Sequence, residues 1–448
     1  MDAEELLAVV DGIVDRALPG EQVEAVAVDE TATEVVAYDG DVESYTSSAS
    51  AGVGVRVIVD HRQGFAYAGS LDADAVAEAL AEARDNARFA TVDEHVALAE
   101  PDGHPFAEIE SWDPSVSAFP NERKIELALE LERAVKAADT RIVGVESAEY
   151  ADGESVAAIA TTSGIRTASH ESSSYVVASS LAADGEEMQT GFGFAVGRDP
   201  AALDIAKAAT DAADRATRLL GATKPTSGRT TIVFDPFVTA QFLAIVGSTL
   251  SGESVLKGRS LFADRLGDEV AAACVTLVDD PTNPDAFTAT RADGEGLATR
   301  RNVLFDGGVL QRFVHNSYTA RRTGTASTGN AVRGFSSTPA VGCMALSLVP
   351  GMRKQAELVS DVSDGVLVQG VSGLHSGVNP VSGDFSTGAE GLRISSGSLG
   401  EPLREFTIAS TLQRMLLDVI EVGGDVDWLP MSAAGVSLVV DGVTVSGA

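Results

Sequence analysis

One segment of the first half of the chain occurs twice, and this repeat limits the possible folds more than any other feature. Residues 64–68 read GFAYA and residues 191–195 read GFGFA, an offset of 127 residues from 64 to 191. The same offset separates Asp72 from Asp199, and an alanine-rich stretch follows each aspartate. Alternating aromatic residues predict a strand, and an aspartate before helix-forming residues predicts a helix N-terminus. The first half therefore contains the same strand–helix unit twice.

Each copy of this unit also begins with an amphipathic helix, over residues 3–17 in the first copy and 121–138 in the second. Runs of β-branched and alternating residues then predict antiparallel strands. Asp39-Gly40, Asp152-Gly153 and Ser163-Gly164 predict turns between them. The predicted strands are 23–38, 43–49 and 53–60 in the first copy, and 143–151, 155–162, 165–182 and 187–196 in the second. The repeated order of helix, strands and helix predicts an α+β fold rather than a doubly wound parallel sheet.

A break at residues 224–228 (KPTSG) separates this half from the rest, because clustered proline and glycine interrupt regular structure. We expect a duplicated α+β N-terminal domain at 1–224, with copies at about 1–100 and 120–222, and a mostly-β C-terminal domain at 228–448. The second domain is predicted to have a strand at 230–235, a helix at 236–250, short strands at 303–305, 309–314, 346–349 and 366–369, and a final strand–turn–strand at 434–445.

The charge of the chain is strongly acidic, with 66 acidic and 32 basic residues and a formal net charge of −34. Only six of the basic residues are lysines. An acidic excess with few lysines is typical of a surface adapted to molar salt, since ions at that concentration screen self-repulsion within about 3 Å. The composition predicts a halophilic protein, and an ordinary acidic enzyme is the alternative. The charge also disfavours direct binding of nucleic acid.

The two cysteines, Cys274 and Cys343, lack the spacing of a disulfide framework or of a zinc-binding pair. Both are interpreted as small core residues. No apolar run approaches the roughly 20 residues of a membrane-spanning helix, and the chain begins with an acidic segment where a signal peptide is basic. These features together predict a soluble protein of the cytoplasm.

Residues 371–391 (VSGLHSGVNPVSGDFSTGAEG) combine several glycines with hydroxyl, amide, imidazole and carboxylate side chains. Glycine permits the close approach of another backbone, and the polar side chains supply hydrogen-bonding groups. We therefore expect His375, Asn379, Ser382 and Asp384 to contact a peptide or a partner protein.

The same segment contains the residue types of a nucleophilic triad in His375, Ser376 and Asp384. No G-x-S-x-G elbow surrounds Ser376, and adjacent residues of a strand point to opposite faces. The contact role is therefore favoured over Ser/His/Asp catalysis, which stays an alternative.

A basic stretch after His315 provides a further candidate contact. It contains Arg321 and Arg322, and Arg333 follows shortly after. Guanidinium groups bind carboxylates with two parallel hydrogen bonds, so one interpretation is a loop that grips a peptide or a carboxylate, with Arg321 among its contact residues. The other interpretation is a set of salt-bridged arginines in an acidic protein.

Five motifs, four of which contain glycine, occur in series in the second half, and together they resemble the TldD/PmbA family, once called modulators of DNA gyrase. The resemblance covers roughly residues 228–448, and the duplicated first half fits the layout of the family. The motifs are VDDP at 278–281, DGEG at 293–296, NVLFDGGVL at 302–310, STGN at 327–330, and GVN with SGDFS at 377–386.

The resemblance implies two kinds of subunit that pair as a heterodimeric metallopeptidase. One kind, TldD, carries H-E-x-x-x-H on the first helix of the second domain and a cysteine near the C-terminus, and these residues hold zinc. This chain has Leu243, Ala244 and Ser248 at the aligned positions, and the region at 423–428 lacks the cysteine. Zinc requires imidazole, thiolate or carboxylate ligands, and activation of water requires a base, so these residues cannot replace the motif.

This pattern is similar to the other subunit, called TldE or PmbA. The resemblance then implies a cytoplasmic chain without zinc or another cofactor of its own, which pairs with a zinc-bearing TldD-type subunit or with itself and takes part in proteolysis of peptides or unfolded proteins. An extended peptide would pair with an exposed strand edge of the β-rich domain. Two alternatives stay open: a self-sufficient hydrolase that uses His375, Ser376 and Asp384, and a regulatory binding protein. Composition and resemblance together point to a haloarchaeal source.

Overall fold

The computed structural model describes residues 1–447, and the first half of them builds a single antiparallel sheet with helices packed against it. The elements of this half are α1 (Ala3–Val14), β1 (Gln22–Tyr38), β2 (Asp41–Val59), β3 (Arg62–Ala68), α2 (Ala73–Phe89), α3 (Ser115–Ala118), α4 (Asn121–Ala138), β4 (Ile142–Thr161), β5 (Arg166–Asp184), β6 (Glu187–Gly197) and α5 (Ile205–Arg218). The six strands lie in the order β3-β2-β1-β4-β5-β6. β1 and β4 therefore meet at the centre of the sheet, and β3 and β6 form its two outer strands.

The repeated glycine–aromatic segment forms these two outer strands, and each packs against the helix that follows it. A Cβ atom added to Gly64 of β3 would lie 1.9 Å from the Ala83 carbonyl oxygen of α2. A Cβ atom added to Gly193 of β6 would lie 2.0 Å from the Ala208 carbonyl oxygen of α5. In both copies, glycine is thus the residue that lets a helix backbone approach the sheet.

The predicted turn at Asp152-Gly153 is wrong, because β4 runs straight through it. The buried Asp152 carboxylate accepts a hydrogen bond from Tyr150 Oη at 2.6 Å and pairs with Lys124 Nζ at 2.6 Å. Gly153 lies opposite Ala32 in the ladder between β1 and β4. Tertiary contacts hold this dipeptide extended in spite of its preference for turns.

The predicted turn at Asp39-Gly40 is confirmed, since both residues have the positive φ of a two-residue hairpin loop, 52° and 83°. The predicted strands 43–49 and 53–60 are one strand, β2, because pairing with β1 continues through the residues between them. The second repeat helix begins later than predicted. Asp199 caps only a short 3-10 helix (Pro200–Ala202), and Asp204 caps α5.

The second half contains more strands than helices. Its elements are β7 (Gly228–Phe234), α6 (Pro236–Thr249), α7 (Gly252–Leu256), β8 (Leu277–Asp279), β9 (Asn302–Asp306), β10 (Val309–Leu310), α8 (Ser317–Thr323), β11 (Ala331–Val332), β12 (Ala340–Val341), β13 (Leu346–Leu348), α9 (Gln355–Ser360), β14 (Asp364–Ser372), α10 (Leu374–Gly377), β15 (Asp384–Ser395), β16 (Ser398–Thr411), α11 (Leu412–Leu417), β17 (Val419–Val422) and β18 (Leu438–Ser446). The prediction of an α+β fold with a β-rich C-terminal part is confirmed.

A six-stranded sheet in the order β16-β15-β14-β7-β18-β17 forms the body of this half, and β16 also pairs with β18. Five strands thus close into a ring. The strand–turn–strand predicted at 434–445 is wrong: this region forms the single strand β18, with a register shift between Val440 and Val443. One strand is required here because β17 pairs with the first part of β18 and β16 with its last part.

The apolar interior of the second half extends into the first. Phe194 of β6 belongs to the same buried cluster as Phe234, Phe242 and Leu243. The two halves therefore share packed side chains, and the boundary between residues 1–224 and 228–448 stays a prediction. Within residues 1–447, no helix is both long and apolar enough to cross a membrane.

Candidate functional site

A groove of about 300 Å³ runs beside α6, the helix that carries the positions aligned with the metal motif. Ala244 and Ser248 line this groove, whereas Leu243 is fully buried in the core. Only two of the three aligned side chains therefore face the groove.

The remaining groove lining is small, apolar or hydroxylic: Gly247, Ser251, Val341, Gly342, Cys343, Leu346 and Ser432. Cys343 supplies the one sulfur atom, and burial, followed by the nearby charge of Asp279, raises the pKa of its thiol well above the ordinary value. A single thiol supplies one ligand, whereas zinc sites in proteins have three or four protein ligands. Across residues 1–447, no three His, Cys, Asp or Glu side chains are grouped so that they could hold a metal ion. The residues present do not fit zinc.

Three of the sequence motifs converge behind the wall of this groove. Asp279 of VDDP accepts hydrogen bonds from the backbone N–H groups of Met344 and Ala345, both at 2.8 Å. Asn330 of STGN donates to Asp279 Oδ2 at 2.6 Å, and Asn302 of NVLFDGGVL donates to Asn330 Oδ1 at 3.0 Å. The buried network fixes the loop that carries Cys343. These motifs are visible in the sequence, but a single sequence contains no signal that they contact each other.

The DGEG motif lies at the contact between the two halves, beside a buried group of charges. Glu24 of β1 accepts two hydrogen bonds from Arg56, at 2.6 and 3.1 Å, and a further one from Arg333. Although burial opposes it, these two guanidinium groups hold the pKa of Glu24 below its ordinary value. Burial, and then the charge of Glu295, raise the pKa of Asp293 to about 7. Arg333 is thus engaged by a carboxylate of the chain itself.

Arg321 also contacts the chain's own backbone. Its guanidinium group donates to the carbonyl oxygens of His95 at 2.8 Å, Ala97 at 2.6 Å and Leu98 at 3.2 Å. These bonds tie α8 to the segment that follows the first repeat. Arg321 thus contacts backbone carbonyl oxygens rather than a carboxylate of a salt bridge, and its contact with a peptide or partner stays a prediction.

The other predicted contact residues lie in an exposed loop between α10 and β15 and on its borders. Asn379 Oδ1 accepts hydrogen bonds from the backbone N–H groups of Val381 at 2.9 Å and Ser382 at 3.2 Å. Ser382 Oγ donates to Asp384 Oδ2 at 2.7 Å. The structure thus links Asn379, Ser382 and Asp384 by hydrogen bonds, whereas His375 lies on the preceding helix and has no hydrogen bond to them within residues 1–447. All four residues are exposed to solvent. The residues that line the groove beside α6 come from other parts of the chain.

The residue types of the hydrolase alternative do not form a hydrogen-bonded triad. Ser376 Oγ donates to the Gly373 carbonyl oxygen at 3.2 Å, and the Asp384 carboxylate accepts from Ser382. Within residues 1–447, no hydrogen bond links His375 to Ser376 or to Asp384. A nucleophilic serine requires contact with its base, so this arrangement does not activate Ser376.

Comparison with known protein families gives three matches along the chain. Residues 23–87 match domain 1 of the PmbA/TldA metallopeptidases, residues 114–220 match their central domain, and residues 227–447 match their C-terminal domain. The three matched segments follow one another without overlap and cover most of the chain.

Individual relatives are similar over long stretches. Metalloprotease PmbA of Escherichia coli O157:H7 is 26% identical over 396 residues, which are 87% of this chain and 84% of that protein. A metalloprotease of Methanothermobacter thermautotrophicus is 30% identical over 282 residues, 62% of each chain. The crystal structure of TldE from Thermococcus kodakarensis matches with a TM-score of 0.90 at 23% identity, over 99% of both chains. At that identity the structural likeness establishes the fold alone.

Proposed function

The chain belongs to the PmbA/TldD metallopeptidase family, and from this premise we propose that it is a PmbA/TldE-type subunit that functions beside a zinc-bearing TldD-type partner. One observation carries the proposal. On α6, where the resemblance expects H-E-x-x-x-H in the metal-bearing subunit, this chain has Leu243, Ala244 and Ser248, and Leu243 is packed into the core. No imidazole ligand and no carboxylate base is available at these positions.

The contribution of this chain is then to bind and orient a peptide or an unfolded segment, while bond cleavage belongs to the partner. The groove beside α6 offers serine hydroxyls and backbone groups, which suit the main chain of many sequences. Val341 of the short strand β12 lines that groove, so an extended peptide there would lie next to a strand. The exposed residues His375, Asn379, Ser382 and Asp384 are proposed as contacts with the partner or with the peptide.

The cellular setting is part of the same proposal. A net charge of −34 with only six lysines supports a cytoplasm of high ionic strength, where self-repulsion on the surface is screened. The heterodimer is favoured over self-association because a dimer of two such chains would still lack the metal ligands.

The metal content of the isolated chain tests the proposal. Purified from cells grown with zinc, the chain should contain less than about one tenth of an equivalent of zinc and should not hydrolyse unfolded casein, since its donor set does not fit the metal. Cys343→Ala is the matched control, because it removes the only thiol of the groove and should change neither result. The proposal would be contradicted if the wild type bound one zinc per chain and hydrolysed casein, and if Cys343→Ala lost both the zinc and the activity. Peptidase activity that Ser376→Ala abolishes would instead establish the hydrolase alternative.

A further inference from the structure

A second cavity, of about 640 Å³, shares none of its lining residues with the groove beside α6. Its walls come from α7 and the segment after it, from the surroundings of β9 and β10, and from residues 323–328, with His104 of the linker at one side. A cavity of this volume is large enough for the end of a short peptide. Nothing in the family resemblance assigns it a role.

The charge of this cavity is opposite to that of the chain. Arg300, Arg312, His104 and His315 line it, and none of its lining residues is Asp or Glu. Acidic residues outnumber basic ones by 66 to 32 in the whole chain, so a lining with arginines and without carboxylates favours an anionic ligand. Burial lowers the pKa of His315 to about 4, so this imidazole adds no charge to the cavity at neutral pH.

Both arginines keep hydrogen-bonding capacity that the chain itself does not use. Arg312 is exposed, its closest polar contact is Asn302 Oδ1 at 3.5 Å, and it enters no ion pair within residues 1–447. Arg300 pairs with Asp102 through Nη2 at 2.6 Å, while its Nη1 donates no hydrogen bond within residues 1–447. Two guanidinium groups with unused N–H donors at one cavity are suited to a carboxylate.

The floor of the cavity is held in place from behind. Asn302 is fully buried, and its amide group donates to the backbone carbonyls of Arg300 and Thr328, both at 3.1 Å. Thr328 Oγ1 in turn accepts the backbone N–H of His315 at 2.7 Å. The polar side of the cavity is therefore preorganised, which lowers the entropic cost of binding.

The lining also includes apolar side chains. Val255, Ala263, Leu266 and Phe313 are among them, and Leu266 is 60% exposed although it is a large apolar residue. Contact with an apolar ligand group would remove this surface from water. The lining thus combines cationic and apolar side chains.

We propose that this cavity binds the C-terminal end of a short peptide, with the α-carboxylate on Arg312 and Arg300 and an apolar last side chain against Leu266 and Phe313. This inference rests on the proposed peptide-binding function and adds a preference for free C-termini with an apolar residue. A free carboxylic acid of similar shape shares the charge and the apolar group, but it lacks the peptide groups that the exposed Gln311 can contact.

Isothermal titration calorimetry with the full chain tests the inference. The probes are N-acetyl-Ala-Ala-Leu as the free acid, the same peptide as its C-terminal amide, and 4-methylpentanoate. We expect the free acid to bind at least about tenfold more tightly than the amide, since a charge-assisted pair contributes roughly that factor. We expect 4-methylpentanoate to bind more weakly than the free-acid peptide.

The substitution for this test is Arg312→Gln, with Arg301→Gln as the matched control. Arg301 is the exposed neighbour of Arg300 and does not line the cavity. Arg312→Gln should weaken binding of the free-acid peptide about tenfold and leave binding of the amide unchanged, and Arg301→Gln should change neither affinity.

Three outcomes would overturn the inference: equal affinity for the acid and the amide, no binding of any of the three probes, or an Arg312→Gln variant that binds the free acid as tightly as the wild type does. Binding of 4-methylpentanoate as tight as that of the peptide would exclude the peptide end as the ligand. An amidated peptide has no free α-carboxylate, so its hydrolysis in the presence of the partner does not depend on this cavity. That hydrolysis therefore tests the proposed function separately from this inference.

Discussion

Asp279 is a buried carboxylate that is satisfied by hydrogen bonds rather than by a cation. Two backbone N–H groups and the Asn330 amide donate to it. Burial nevertheless raises its pKa from 3.8 to about 6. Between these two values the folded chain binds a proton that the unfolded chain has released. The contribution of this group to stability is therefore greatest at low pH and falls as the pH rises through about 6.

We expect Asp279→Asn to remove this part of the pH dependence. The measured quantity is the difference in free energy of unfolding between the wild type and the variant, obtained by urea denaturation at each pH. This difference should fall by roughly 3 kcal/mol between pH 4 and pH 7, because the pKa of Asp279 is shifted by about two pH units. The variant loses an acceptor for Asn330, so it should be less stable than the wild type at low pH. Asp264→Asn, at an exposed position, is the control and should give a curve parallel to the wild type. If the free energy of unfolding of Asp279→Asn also followed the pH dependence of the wild type, the result would contradict this explanation.

The repeated strand–helix unit shows what a sequence pattern determines at the level of elements. The spacing of the glycine–aromatic segments predicted two equivalent strands, and β3 and β6 are the two outer strands of one sheet. The same local reasoning failed at Asp152-Gly153, because Tyr150, Lys124 and the ladder with β1 hold a turn dipeptide extended. Local propensity could not include these partners, since Lys124 and β1 come from other parts of the chain.

Replacement of a repeat glycine should separate the strand from its helix. A Cβ on Gly193 would lie 2.0 Å from a backbone oxygen of α5, so Gly193→Ala must displace the helix. We expect a loss of about 2–3 kcal/mol in the free energy of unfolding, measured by denaturant titration at constant salt. Gly144→Ala is the matched control in β4, because the nearest atom to its Cβ would be 4.0 Å away. It should change stability by less than about 0.5 kcal/mol, and equal losses for both variants would refute the packing explanation.

Across the whole molecule, the fold class and the family could be predicted from the sequence, whereas the contacts between the halves could not. Arg333 meets Glu24 and Arg321 meets the backbone at 95–98, over separations of more than two hundred residues. A single sequence contains no signal for such pairs. For the same reason the cavity lined by Arg300 and Arg312 was not predicted, because its lining is assembled from distant segments.

The acidic surface predicts a dependence of stability on salt for the whole chain. Because screening removes self-repulsion among 66 acidic residues, the melting temperature should rise by at least about 5 °C between 0.1 M and 3 M KCl, measured by circular dichroism. Sucrose at increasing concentration is the control, because it is excluded from the protein surface but carries no charge. It should raise the melting temperature less than KCl does. A melting temperature that is constant or falls with KCl would contradict the halophilic interpretation.

The central claim is that this chain supports peptide hydrolysis only together with a metal-bearing partner. The most direct measurement compares hydrolysis of unfolded casein by the chain alone, by a TldD-type subunit alone and by their equimolar mixture, with light scattering to determine the mass of the complex. We expect activity and a heterodimer mass only in the mixture, and loss of activity when the partner's H-E-x-x-x-H is substituted. Hydrolysis by this chain alone with one bound zinc, or a partner that is equally active without it, would contradict the claim.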